Sequence, residues 1–165
     1  MKFKAEHVFK GISIADYEKL YFDEDFSIAL CKEVKLARSL KSLETKDVHL
    51  SRAVTVGPER EIPGPVAKIV GANRIEYTEY VEYDMGSYKG EWKTISSVLT
   101  DKIDTKGTFE FQEVSGGVKR IIHGDIKVKI FGIGGVVEKF IVSDVEKSYN
   151  DAAVFTQKWI DEGKV

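Results

Sequence analysis

The sequence predicts an α+β fold in which a seven-stranded, curved antiparallel sheet wraps around a long C-terminal helix, with two short helices after the first strand. Two patterns carry that expectation. From Ile133 to Ile160, apolar residues recur at gaps of three and four, the spacing of one stripe along a helix. Ahead of that stretch, runs of period-two alternation follow one another through hairpin-length connections, which join antiparallel strands. A helix of about thirty residues would be roughly 45 Å long. Such a helix with one apolar stripe needs a broad partner, and a twisted sheet with one apolar face supplies it.

Taken in order, Phe3, Ala5, His7 and Phe9 alternate with Lys2, Lys4, Glu6 and Lys10 in a half-buried strand ending at Gly11. Ser13, with Asp16 three residues on, caps a helix that carries Ile14, Tyr17, Leu20 and Tyr21. Asp23-Glu24-Asp25 puts acid where the helix dipole favours it, at the start of a second short helix bearing Phe26, Ile28, Ala29 and Leu30. From Val34 the period becomes two. Val34, Leu36, Arg38 and Leu40 share a face, and Val48, Leu50, Arg52, Val54 and Val56 do so in the next strand, which Gly57-Pro58 ends. The connector Ile62–Gly71 is apolar and longer than a hairpin needs, with Pro65 suited to open a helical turn over Val66, Ala67, Ile69 and Val70.

Four more strands follow. Ile75, Tyr77, Glu79, Val81 and Tyr83 share a face of the first; Trp92, Thr94, Ser96 and Val98 share one in the second. Phe109 and Phe111 mark the third. Val118, Arg120, Ile122, Ile126, Val128 and Ile130 mark the last, with Gly124 inside it as a bulge or bend. No repeat or linker divides the chain, so residues 1–165 read as one helix-grip domain.

Composition removes several function classes. Basic and acidic residues number 25 and 27, intermixed, for a net charge of −2, so no basic patch exists to hold nucleic acid or an anionic membrane. A single cysteine, Cys31, excludes an internal disulfide and fits a reducing, cytoplasmic location; within its apolar helical run it reads as a buried structural thiol. Residues 1–6 alternate polar and apolar, unlike the apolar core of a signal peptide, and no apolar run is long enough to span a membrane. No His-x-x-x-His or cysteine pair suggests zinc, so neither metal nor cofactor is expected. Gly132, Gly134 and Gly135 follow a strand and open a helix, yet they lack the dinucleotide fingerprint and the Lys-Ser/Thr of a phosphate loop. A sharp turn at the mouth of a cavity suits them better.

The element order, the Phe3–Phe9 strand, the Pro-Gly-Pro-Val-Ala-Lys-Ile connector and the segment Gly134-Gly135-Val136-Val137-Glu138-Lys139-Phe140-Ile141 together resemble the START-like, or Bet v allergen-like (SRPBCC), superfamily. Within it the chain is most similar to the bacterial family known as domain of unknown function 2505. The resemblance implies a sheet closed by the C-terminal helix around an internal cavity, and binding of lipids, sterols, polyketides or other hydrophobic molecules. A minority of the superfamily are enzymes, but no catalytic motif of theirs is found here.

The residues point the same way. The helix and sheet stripes hold more apolar area than two flat layers need, while the inner face also carries His7, Arg38, Arg52, Glu79, Thr94, Ser96 and Arg120. A filled core avoids unpaired charge, so these groups either pair with one another or line a pocket and hold a ligand's polar end. Strand-end curvature leaves Arg38 and Arg120 open to either face. The candidate ligand-binding residues are His7, Arg52, Tyr77, Glu79, Val81, Trp92, Thr94, Phe109 and Phe111 on the sheet, and Val137, Phe140, Ile141, Val145 and Tyr149 on the helix.

The expected function is therefore non-catalytic binding or transport of a hydrophobic small molecule, such as a lipid, sterol or isoprenoid-like compound. Access would run between the connector Ile62–Gly71, the turn Phe131–Gly135 and the short helices. Val66, Ile69 and Val70, if exposed, are candidates for transient membrane contact. Two alternatives stand beside this reading. One is a cyclase- or hydrolase-type enzyme using His7 and Glu79 for acid–base chemistry. The other is a protein-interaction or assembly factor with a filled core.

Overall fold

The computed structural model describes residues 1–165. The elements run β1 (Lys2–Lys10), α1 (Ile14–Phe22), α2 (Glu24–Glu33), β2 (Leu36–Lys46), β3 (His49–Pro58), α3 (Gly64–Val70), β4 (Tyr77–Asp84), β5 (Lys89–Ser96), β6 (Ile103–Val114), β7 (Gly117–Val128) and α4 (Gly134–Asp161). All seven strands form one antiparallel sheet in the order β1-β7-β6-β5-β4-β3-β2. Strands β1 and β2, consecutive in the chain, thus lie on opposite edges. The short helices carry the chain across the whole breadth of the sheet, and this is why they sit over its concave face.

Local chemistry sets their ends. The backbone N–H of Asp16 donates to Ser13 Oγ at 3.1 Å, and that of Phe26 to Asp23 Oδ1 at 2.7 Å, so each helix has a side-chain N-cap. Asp23 also ends α1, its N–H donating to the Leu20 carbonyl, which leaves no residue to spare between the two helices. In α3, Pro65 occupies the first turn, and Gly71 ends the helix at φ +73°, the left-handed conformation that glycine takes without strain.

Cross-strand register turns the period-two pattern into rows across the sheet. One row runs Arg52, Val81, Trp92, Gly107, Gly124, Phe3 from β3 to β1. Gly124 was expected to mark a bulge or bend, but pairing passes through it on both sides without a register shift. Its role is space: a Cβ there would lie 2.1 Å from the Phe3 ring, and one at Gly107 would lie 2.7 Å from the Trp92 indole. The sheet's one irregularity falls on edge strand β2, between Leu40 and Ser42. Leu40, expected on the inner face with Arg38, is exposed there.

Helix α4 spans 28 residues, about 42 Å, and makes its nearest backbone approaches to β1, β7 and α2. Four residues of the Gly-Gly-x-x-Glu-x-Phe-Ile segment have a clear place, while a side chain at Gly135 would meet open space. Gly134 packs so tightly that a Cβ would lie 2.3 Å from the Val128 carbonyl oxygen. The Glu138 carboxylate accepts from the Val128 N–H at 2.8 Å and from the Met1 ammonium at 3.3 Å. Phe140 and Ile141 pack toward the sheet. At the other end, Phe26 of α2 packs edge-on to Trp159 at 5.4 Å, bracing α2 against α4. No helix is long and apolar enough to cross a membrane.

Candidate functional site: a cavity between the sheet and the long helix

The aromatic residues of α1 decide where the concave space is filled. Tyr17 stacks on Phe9 at 5.0 Å and meets Phe111 edge-on at 4.9 Å; Tyr21 stacks on Phe109 at 5.3 Å, and Phe22 lies 4.8 Å from Tyr83. Tyr83 donates its hydroxyl to the buried Glu18 carboxylate at 2.5 Å, which also accepts from the Gly86 N–H at 2.7 Å. These rings plug one end of the curved sheet. The remainder, between β3–β5 and the middle of α4, holds a cavity of about 440 Å³, with hydrophobic residues making up more than half of its lining.

Of the candidate residues, Arg52, Tyr77, Glu79, Trp92 and Thr94 lie on its sheet wall, and Phe140, Ile141, Val145 and Tyr149 on its helix wall. Contrary to expectation, the other five do not line it. Val81, Phe109 and Phe111 belong to the packed core with the α1 rings, and Val137 is fully buried in the first turns of α4. His7 faces inward but is spent elsewhere: Arg120 donates to its Nδ1 at 3.1 Å, and its Nε2 lies 2.8 Å from Asn150 Oδ1. Those partners fix the proton on Nε2. Burial pushes the ring below its ordinary pKa, with Asn150 opposing and the Arg120 charge assisting. His7 is a neutral bridge between β7 and α4, and the proposed His7–Glu79 acid–base pair is not assembled on the cavity wall.

The wall also contains Tyr17, Tyr21 and Thr105, which alternation did not assign, and Arg38 and Arg120, which strand-end curvature had left open to either face. Arg38, whose side chain is almost wholly buried, pairs with Glu24 from the first turn of α2. Arg52 lies over the Phe22 ring at 5.2 Å and reaches Glu79 only at 3.9 Å. Arg120 is sandwiched between Phe9 at 5.3 Å and Tyr149 at 5.5 Å. Burial raises the phenols of Tyr21, Tyr77 and Tyr149, with the nearby Glu79 charge adding to it, so all three stay neutral donors. Cys31 also borders the cavity, where burial pushes its thiol up and away from the reactive thiolate.

The mouth differs from expectation. A surface groove of about 500 Å³ meets the cavity at Val34, Leu36, Pro58, Arg60, Asp144 and Ser148. There the Arg60 guanidinium, in the loop after β3, forms an ion pair with Asp144 of α4 across the opening. No residue of Phe131–Gly135 lines either space, so that turn is not the mouth. Its glycines serve geometry, Gly132 at φ +78° and Gly134 in close contact with β7. Val66 and Val70 are buried, so only Ile69 of the three connector residues retains exposure for a membrane.

The family described as "Protein of unknown function (DUF2505)" matches residues 5–160. The chain belongs to this family. No curated protein matches it in sequence. Its helix-grip fold is shared with solved structures at low identity. TTHA0849 from Thermus thermophilus is similar at TM-score 0.66 and 12% identity, with 100% of both chains covered. The Zhui aromatase/cyclase from Streptomyces sp. R1128 is similar at TM-score 0.63 and 10% identity, over 96% of this chain and 95% of that one. Ara h 8.0201 is similar at TM-score 0.62 and 9% identity, over 94% and 96%. At such identities the likeness extends to the fold alone.

Proposed function

We propose that this DUF2505 protein binds and carries a hydrophobic small molecule, of lipid, sterol or isoprenoid-like class, between its sheet and α4, acting in the cytoplasm. The observation that carries the reading is the cavity itself. At about 440 Å³ it falls within the range of small-molecule sites, and its mostly apolar wall with a few polar groups is how such sites are built. Arg52, Tyr77, Glu79, Trp92, Thr94, Phe140, Ile141, Val145 and Tyr149 are its contact residues, and the Arg60–Asp144 pair guards access.

Native mass spectrometry of the purified protein, followed by organic extraction, tests this. A stoichiometric apolar adduct, or uptake of an added apolar fluorophore, is the expected result; the absence of both overturns the reading. Trp92→Ala should lower retention about tenfold or more, since an indole in a desolvated pocket commonly contributes about 2 kcal/mol or more. Circular dichroism checks that the variant is folded.

A catalytic reading has one observation in its favour, the shared fold with a protein named an aromatase/cyclase. It requires groups other than His7. Recovery of the bound molecule unchanged after long incubation supports a carrier; a product of altered mass supports an enzyme.

A further inference from the structure

The charged groups deep in the cavity are mostly cations. Three guanidiniums face it, and their partners are unequal. Arg38 is neutralised by Glu24, Arg52 has only Glu79 at 3.9 Å, and Arg120 has no carboxylate within 4 Å, only the neutral His7, the Tyr17 hydroxyl and two rings. Arg120 is 4% exposed and Arg52 9%, and the Nε of each is buried with no acceptor. Of the acidic residues on the lining, Asp144 is paired with Arg60 at the mouth and Glu61 is exposed in the same loop. Against two incompletely paired cations the interior therefore sets one carboxylate, Glu79. One positive charge is left over. The neutral phenol of Tyr149 adds an O–H donor beside it.

A wholly apolar guest would expel water from these cations and leave the surplus charge with neither solvent nor counter-ion, a heavy desolvation cost. A guest carrying one negative charge removes that cost, and the planar guanidinium fork matches a carboxylate. Resting on the cavity reading above, we infer that the occupant is an amphipathic monoanion. Its carboxylate is received by Arg120, the cation left without a carboxylate partner, and its apolar body lies along Phe140, Ile141 and Val145. The neutral His7 holds one Arg120 nitrogen and Phe9 and Tyr149 flank the guanidinium, so the charge is fixed at the floor rather than free to reach water at the mouth.

The test compares laurate, methyl laurate and dodecanol by fluorophore displacement at neutral pH. Laurate should bind about 10- to 100-fold more tightly than the ester or the alcohol, the range of a hydrogen bond to a charged group. Arg120→Met should bring the three within about threefold, by weakening laurate alone. Equal binding of all three to the wild type overturns this inference and leaves the cavity reading standing. No binding by any of them, nor by the fluorophore, overturns both. If Arg120→Met does not fold, the wild-type ratio decides alone. Arg120→Lys, which keeps the charge and loses the fork, should then retain only part of the preference.

Discussion

Arg120 and Gly124 lie four residues apart on one strand face and show what alternation does and does not reveal. Alternation put Arg120 on the inner face with curvature able to turn it out, and Gly124 read as a bulge or bend, so neither role was legible. Parity fixes which face a side chain leaves from, not what stands over it. Above Arg120 are the two rings and His7 that make it a buried cation, while above Gly124 the Phe3 ring occupies the space a side chain would need. Gly124→Ala should therefore destabilise the protein by about 1–3 kcal/mol through overpacking, seen as a lower urea midpoint. His7 yields a pH prediction. Its folded pKa is lowered from 6.5, so below that pH the unfolded chain binds the proton first and stability falls as pH drops toward the folded value. His7→Gln should flatten the fall in melting temperature between about pH 7 and 5 relative to wild type. An unchanged slope would show that carboxylates alone set it. Exposed His49, raised by its bonds to Asp84 and Glu82, acts in the opposite direction, so the His7 effect has to be read as a difference between the two proteins.

At the scale of elements the sequence was most informative, because caps and periods are local. Ser13 and Asp23 cap helices where the residue types required it, and all seven expected strands form, though Val34, Val48, Ile75, Val98 and Ile130, read as strand residues, fall just outside them. The mouth was misplaced because glycines betray a turn, whereas an ion pair between Arg60 and Asp144 joins residues far apart in the chain, which no local pattern reports. That pair bridges the loop after β3 and α4, and Arg60 is half exposed, so it contributes about 0.2–1 kcal/mol to keeping the mouth shut. Arg60→Ala should raise both association and dissociation rates of a bound fluorophore by up to about fivefold, with little change in affinity. Stopped-flow displacement measures it. Faster dissociation with unchanged association, and so a weaker affinity, would place Arg60 in the binding site instead of across its door.

For the whole molecule, the strand order explains why sequence reasoning reached the architecture but overestimated the extent of the pocket. A sheet grip was implied by counting strands. That α1 drops Tyr17, Tyr21 and Phe22 onto Phe109, Phe111 and Tyr83 depends on β1 and β2 lying at opposite edges, a nonlocal fact. The concave face is thus half core and half cavity. A guest that completes the core binds only the folded state, so saturation at about a hundred times the dissociation constant should add about 2.7 kcal/mol, or roughly 5–10 °C in melting temperature for a chain of this size. Differential scanning fluorimetry over a concentration series checks it. A shift that saturates at once, without the logarithmic rise, would indicate a surface effect. The seating of α4 carries one more consequence. Its near neighbours are β1, β7 and α2, while β3, β4 and β5 face it across the void. Glu138 and Gln157 tie the ends of the helix to the backbone of β7 and β1, but the width of the void against the far strands is set by side chains and changes with their rotamers. Such a wall behaves less like a mould than like a jaw: its gape is adjustable, so shape would discriminate weakly among guests of different length, and selectivity would fall to the fixed charges at its hinge.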